Sequence, residues 1–119
     1  MIWDVEYTDE FEQWWRTLTE NQQEDLVVSV QLLRNLGPSL PRPHADTVKG
    51  SKHTNMKELR TQSKGCPLRT FYAFDPRRCA ILLIGGDKTG DKRFYEKRVP
   101  QADQLYDKYL KELKNEGLI

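Results

Sequence analysis

Residues able to bind and cut a polyanion are concentrated in the second half of this sequence. Glu58 and Arg60 are two positions apart in MKELRTQ, a spacing that puts both on one face of a strand. Arg69 follows in LRTFYAF. The run GGDKTGDKRFYEK then gathers Lys88, Lys92, Arg93, Tyr95 and Lys97 directly after an apolar stretch. Lys49, Lys52 and Lys57 lead into the first of these segments. Phosphate-bearing RNA is the natural ligand for such a set, because arginine donates forked hydrogen bonds to phosphate oxygens.

Cutting RNA at its own 2′-hydroxyl needs a base for that proton, cations for the phosphorane and an acid for the departing 5′-oxygen. Glu58 is the one acid on a basic strand and is the candidate base. Arg60, Arg69 and Lys88 are candidate phosphate clamps. Tyr95 is a candidate base, acid or stacking group. A tyrosine of ordinary pKa, about 10, is a poor base, and neighbouring cations are expected to lower it. Lys49, Lys52, Lys57, Lys92 and Arg93 are the candidate RNA-binding cations. Each also has a plainer reading: Glu58 and Arg60 as a solvated pair, Tyr95 as a packing residue, and Phe71, Tyr72 and Phe74 as core.

Neither a metal nor a cofactor is expected. The acids do not cluster as a two-metal nuclease requires. His44, His53, Cys66 and Cys79 have no zinc-like pairing, and both histidines read as loop residues. Asp87-Lys88-Thr89-Gly90 lacks the spacing of a nucleotide-triphosphate loop. Cys66 and Cys79 could meet across a hairpin, and a reducing compartment would leave them as thiols.

The elements that position these groups follow from pattern. IWDVEY alternates as a short half-buried strand. Thr8 caps a helix with Phe11, Trp14, Trp15 and Leu18 on one face. Thr19 and Gln22 form a capping box for a longer helix with a Leu26, Val27, Val30, Leu33 stripe, and Gly37-Pro38 ends it. Residues 38–55, with three prolines and a glycine, read as an extended loop. Strands are expected over 56–62, 68–74 and 79–85, joined by Ser63-Lys64-Gly65 and by the type I turn Asp75-Pro76-Arg77-Arg78. The run CAILLIG reads as a strand buried on both faces. A short helical turn over 91–97 should precede a last helix opening at Pro100 and ending at Gly117. Its stripe is Ala102, Leu105, Tyr106, Tyr109 and Leu113, with an Asp107–Lys111 pair. The order is β-α-α-β-β-β-α, an α+β fold with a mostly antiparallel sheet, in a single domain over residues 1–119.

A formal charge of +1 hides a polarity: residues 1–48 hold three arginines against nine acids, and residues 49–119 hold sixteen basic residues against nine acids. A basic half is the usual footprint of a phosphate-bearing partner. The N-terminus has neither the basic nor the apolar region of a signal peptide. No stretch approaches the roughly 20 apolar residues of a membrane span. A cytoplasmic protein without membrane contact is expected.

MKELR, LRTFYAFDPRR and LLIGGDKTGDKRFYEK, with two leading helices and a closing one, resemble the RelE/HigB-like toxins of bacterial type II toxin–antitoxin modules. The resemblance is to the phage-derived HigB-like branch. It implies a ribosome-dependent mRNA endonuclease that blocks translation by cutting codons in the decoding site. It also implies a cognate antitoxin, commonly a helix-turn-helix protein, through which the pair binds operator DNA. By position, Arg69 matches the strand arginine at the scissile phosphate, Lys88 falls near a second arginine, and Tyr95 matches a tyrosine near the C-terminus. Glu58 and Arg60 lie on the strand that supplies further catalytic groups, where some members have two lysines and this chain has Met56 and Glu58. Two alternatives share the fold: a non-catalytic ParE-type inhibitor of DNA gyrase, and a degenerate RNA- or antitoxin-binding protein.

Overall fold

The computed structural model describes residues 2–119. Its elements are β1 (Val5–Tyr7), α1 (Asp9–Arg16), α2 (Glu20–Leu36), a 3-10 turn (Gly37–Ser39), β2 (Ala45–Thr47), β3 (Lys57–Ser63), β4 (Cys66–Phe74), β5 (Ala80–Asp87) and α3 (Phe94–Asn115). They form one five-stranded sheet in the order β1-β5-β4-β3-β2. Only the β1–β5 pairing is parallel. The expected α+β architecture is therefore present, with one added strand. The proline-bearing loop contains β2, which pairs Ala45–Thr47 against Lys57–Leu59. Buried Leu40, Ala45 and Val48 anchor that loop against the core. Apolar anchors a few residues apart hold it in an extended conformation next to an open sheet edge.

The sheet is covered on both faces, and strand alternation decides which residue goes where. Leu59, Tyr72, Ala80 and Leu82 pack under α1 and α2 with Phe11, Leu26 and Leu33. Phe71, Ala73, Ile81 and Leu83 pack under α3 with Phe94, Val99 and Tyr106. This is why β5 reads as an unbroken apolar run. The capping box at Thr19 is complete, with Gln22 and Thr19 each bonding the other's backbone. Val27 departs from the expected stripe: it is exposed, and Ser29 takes an inward place.

A β-bulge in β5 sets the phase of everything after it. Phe71 pairs with Ile84 while Tyr72 pairs with Leu82, so Leu83 is the extra residue. The hydroxyl of Thr8, which also caps α1, donates to the Leu83 carbonyl at 2.6 Å. After the bulge come Gly85 and Gly86, which let an aromatic ring approach from each side. A methyl at Gly85 would lie 2.2 Å from the Trp14 ring, and one at Gly86 would lie 2.8 Å from Phe94.

The C-terminal part differs from expectation in one respect. The turn over 91–97 and the helix from Pro100 are one continuous helix, so Pro100 lies inside α3 rather than at its start. Proline removes one helical hydrogen bond. Buried Phe94 and Val99 before it and Ala102 and Tyr106 after it hold the helix together across the defect. Asp107 does not pair with Lys111; it binds Lys52 and His53 of the loop before β3. Cys66 and Cys79 lie near opposite ends of β4 and are both free thiols.

Candidate functional site

The β3–β4 hairpin turns on Lys64 and Gly65, both at positive φ, between the paired Ser63 and Cys66. That register places Glu58 opposite Phe71 and Arg60 opposite Arg69 on the face toward α3. The bulge in β5 brings Gly86 opposite Arg69. Because Gly86 has no side chain, Phe94 settles against the sheet, and the next residue, Tyr95, reaches over β4 to β3. Its hydroxyl donates to Glu58 Oε1 at 2.6 Å. The ring meets Phe71 and Phe94 edge-on, and the Lys88 ammonium lies over it at 5.2 Å from the centroid.

Arg69 completes the group. Its Nε lies 3.5 Å from Glu58 Oε1, and Nη1 donates to the Leu68 carbonyl at 3.0 Å. The pair is buried: Arg69 is 5% exposed and Glu58 7%. At 3.5 Å the contact is an ion pair without a hydrogen bond, and Arg69 Nε has no acceptor among the described residues. A buried donor left unmatched is costly.

Four of the expected catalytic residues therefore meet, from β3, β4, the loop after β5 and the first turn of α3. Arg60 borders them, half-buried, facing Arg69 across the ladder. Glu58 does not pair with Arg60; its charge partner is Arg69. Tyr95 also differs from expectation. Burial, and then its hydrogen bond to Glu58, push its phenol above the ordinary value, outweighing the cation nearby. The phenol therefore stays protonated through neutral pH.

The other expected RNA-binding cations do not converge on this point. Lys57 precedes Glu58 on the strand and lies on the opposite face of the sheet. Lys52 is bound to Asp107, which lies twelve residues, or roughly 18 Å of helix, beyond Tyr95. Lys49 is exposed in the same loop. Arg93 is held by Glu96 through two hydrogen bonds, 3.1 and 3.0 Å, and Lys97 by Asp91 at 3.0 Å. Lys92 is exposed in the turn before α3. Of the two histidines, His53 bonds Asp107 at 2.8 Å against the Tyr106 ring. His44 was read as a loop residue, yet it borders the groove that also contains Arg60 and Arg69. No sequence signal marks it, because its closeness depends on β2. Among the described residues, no three His, Cys, Asp or Glu side chains are grouped as a metal would need.

The loop between β5 and α3 is ordered by its own polar groups. Asp87 Oδ1 accepts from the Thr89 amide and hydroxyl at 2.9 and 2.6 Å. Asp91 Oδ1 accepts from the Arg93 amide at 3.0 Å, and the Lys88 amide donates to the Pro67 carbonyl at 3.0 Å. The charged run thus fixes Lys88 at the rim of the site.

Residues 13–107 match the family described as phage derived protein Gp49-like (DUF891). The chain belongs to this family. Among similar proteins of Mycobacterium tuberculosis is HigB3, named as a candidate toxin. It is 43% identical over 100 residues, covering 83% of this chain and 86% of HigB3. HigB2, also named as a candidate toxin, is 38% identical over 99 residues. The alignment covers 82% of this Gp49-like chain but only 49% of HigB2. The fold is RelE-like. A mutant of the E. coli toxin RelE in the free state superimposes with a TM-score of 0.57 at 13% identity, covering 83% of this chain and 99% of RelE. RelE in the archaeal RelE–RelB complex from Pyrococcus horikoshii gives 0.53 at 13% identity, covering 76% and 99%. The three segments that carried the resemblance, 56–60, 68–78 and 82–97, all fall within the matched residues.

Proposed function

We propose that this Gp49-like chain is the toxin of a toxin–antitoxin pair and acts as an endoribonuclease on mRNA at the translating ribosome. The family, and relatives named as HigB toxins, support the toxin reading. The observation that carries the nuclease reading is the buried Glu58–Arg69 pair under Tyr95, with Lys88 and Arg60 at its rim. A surface used only for binding has no need to hold a carboxylate and a guanidinium out of water.

The geometry supports one assignment of roles. Glu58 accepts the 2′-hydroxyl proton, and the oxygen it frees attacks the adjacent phosphorus. Arg69 and Arg60 take up the charge that grows on the phosphorane. Tyr95 and Glu58 share one hydrogen bond, so they serve the same end of the reaction. An in-line displacement needs its base and acid on opposite sides of phosphorus, so Tyr95 orients Glu58 rather than protonating the leaving group. The departing 5′-oxygen takes its proton from solvent, and Lys88, over the Tyr95 ring, adds positive charge on the Glu58 side. The products are a 2′,3′-cyclic phosphate and a 5′-hydroxyl end.

The antitoxin partner follows from the same relatives, and one RelE neighbour was solved with RelB. Induction in bacteria with mapping of mRNA 5′ ends tests the reading. New ends inside translated codons that disappear in Glu58→Gln support it. Intact mRNA with arrested DNA supercoiling would replace it with the gyrase reading.

A further inference from the structure

Resting on the RNA-cleaving reading, we propose that the groove between α2 and the open edge of β3 holds the base next to the scissile phosphate. On this proposal Gln62 and His44 read that base. β2 pairs only with Lys57–Leu59, and the Arg60 amide then donates to the His44 carbonyl. Past that point the outer edge of β3 has no neighbouring strand, and a groove of about 450 Å³ wraps over it. Its size is that of a small-ligand site, which runs from roughly 300 to 1,000 Å³.

Two guanidiniums border this groove. Arg60 and Arg69 stand directly opposite each other in the ladder, where like charges repel. Arg60 has no ion-pair partner among the described residues, whereas Arg69 has only Glu58. An anion between them would relieve the repulsion. Arg69 borders both the groove and the Glu58–Tyr95 pair, so a scissile phosphate held on Arg69 extends its neighbouring nucleotide into the groove. There the Gln62 amide offers one donor and one acceptor to a base edge, and the His44 and Pro43 rings offer flat surfaces for stacking. The carboxylate in the groove, Asp25, accepts a 2.6 Å hydrogen bond from Ser63 and lies on the α2 side, away from the ladder arginines. An acidic protein segment would satisfy the arginines alone. RNA also accounts for the uncharged reading groups and for the continuity with Glu58.

The test combines two measurements on the full chain, for wild type, Gln62→Ala and His44→Ala. Both residues are exposed, so truncation spares the core. The first is fluorescence anisotropy with labelled single-stranded RNA pentamers that carry a 2′-deoxy sugar at the central position. The second is cleavage-site mapping on ribosome-bound mRNA. The expected result is at least a tenfold loss of pentamer affinity in Gln62→Ala and a smaller loss in His44→Ala, with a changed base preference beside the cut. Cleavage at wild-type sites with wild-type preference in both variants overturns the groove while leaving the nuclease reading intact. Absence of cleavage by the wild type overturns the nuclease reading, and the pentamer affinities still decide the groove. Binding of a poly-glutamate peptide without binding of RNA overturns the groove in favour of a protein occupant.

Discussion

Side-chain chemistry at this site depends on a contact between residues 37 positions apart. Tyr95 holds Glu58, and Glu58 holds Arg69. Spacing and residue type made Arg69, Lys88 and Tyr95 legible in the sequence. They did not reveal that Glu58 and Arg69 are buried against each other, or that burial pushes the Tyr95 phenol up. Cleavage in the pH 7–10 range is accordingly not expected to fall through loss of the phenol proton. The sign also applies to stability. A phenol raised in the folded state contributes fully below its unfolded value of about 10 and loses that contribution as pH rises through the folded value. A pH titration of cleavage and of melting temperature checks both, and a loss of activity centred below pH 9 that Tyr95→Phe removes would contradict it. The cysteines give a simpler test. Cys79 is buried and its thiol is pushed up to about 12, chiefly by burial. Cys66 is half-buried at the start of β4. Iodoacetamide at pH 8 followed by mass spectrometry is expected to label Cys66 and to leave Cys79 unlabelled in the folded chain.

At the level of elements, the glycines after the bulge set how closely the helices approach. Gly85 accommodates Trp14 of α1, and Gly86 accommodates Phe94, the residue beside Tyr95. Gly85→Ala is expected to cost about 1–3 kcal/mol of stability, since the added methyl overpacks against an indole fixed by its helix. Gly86→Ala is expected to reduce cleavage more than its melting temperature accounts for, because displacing Phe94 moves Tyr95 off Glu58. Chemical denaturation read beside activity separates the two. The loop before β3 is tied to α3 in the same manner. Asp103 accepts from the Ser51 hydroxyl and the Lys52 amide, and Asp107 binds Lys52 and His53. The Lys52 bond, then His53, lowers the Asp107 carboxyl below its usual range. Its contribution is present above the unfolded value and lost as pH falls through the lowered one. Lower amide protection factors in residues 49–55 on acidification, corrected for the slower intrinsic exchange at low pH, are the expected sign. The Lys52–Asp107 pair joins residues 55 positions apart, so no local window shows it. The starts of α1 and α2, the helix ends and strand alternation were legible because they are local. The strand in the proline-bearing loop, the bulge and the continuity of α3 through Pro100 depend on packing that no local window contains.

Across the whole molecule, the charge polarity seen in the sequence becomes a division of labour. The acidic N-terminal half supplies β1, α1, α2 and β2, and α1 and α2 cover one face of the sheet. The basic half supplies β3, β4, β5 and α3, and with them every residue of the site. Several cations of that half are held in ion pairs, as at Arg77, which binds Asp75 and Glu6. The cations at or beside the site are specifically placed: Arg60, Arg69, Lys88 and Arg98. The most direct measurement of the central claim is single-turnover cleavage of ribosome-bound mRNA by purified wild-type and Tyr95→Phe protein. The variant keeps the ring that packs on Phe71 and Phe94 and loses only the hydroxyl on Glu58. Wild-type cuts within codons that leave 5′-hydroxyl ends are expected, with a rate lowered about 10- to 100-fold in Tyr95→Phe and mRNA binding retained. Cleavage by Tyr95→Phe at the wild-type rate, or mRNA left intact by the wild type, would contradict it.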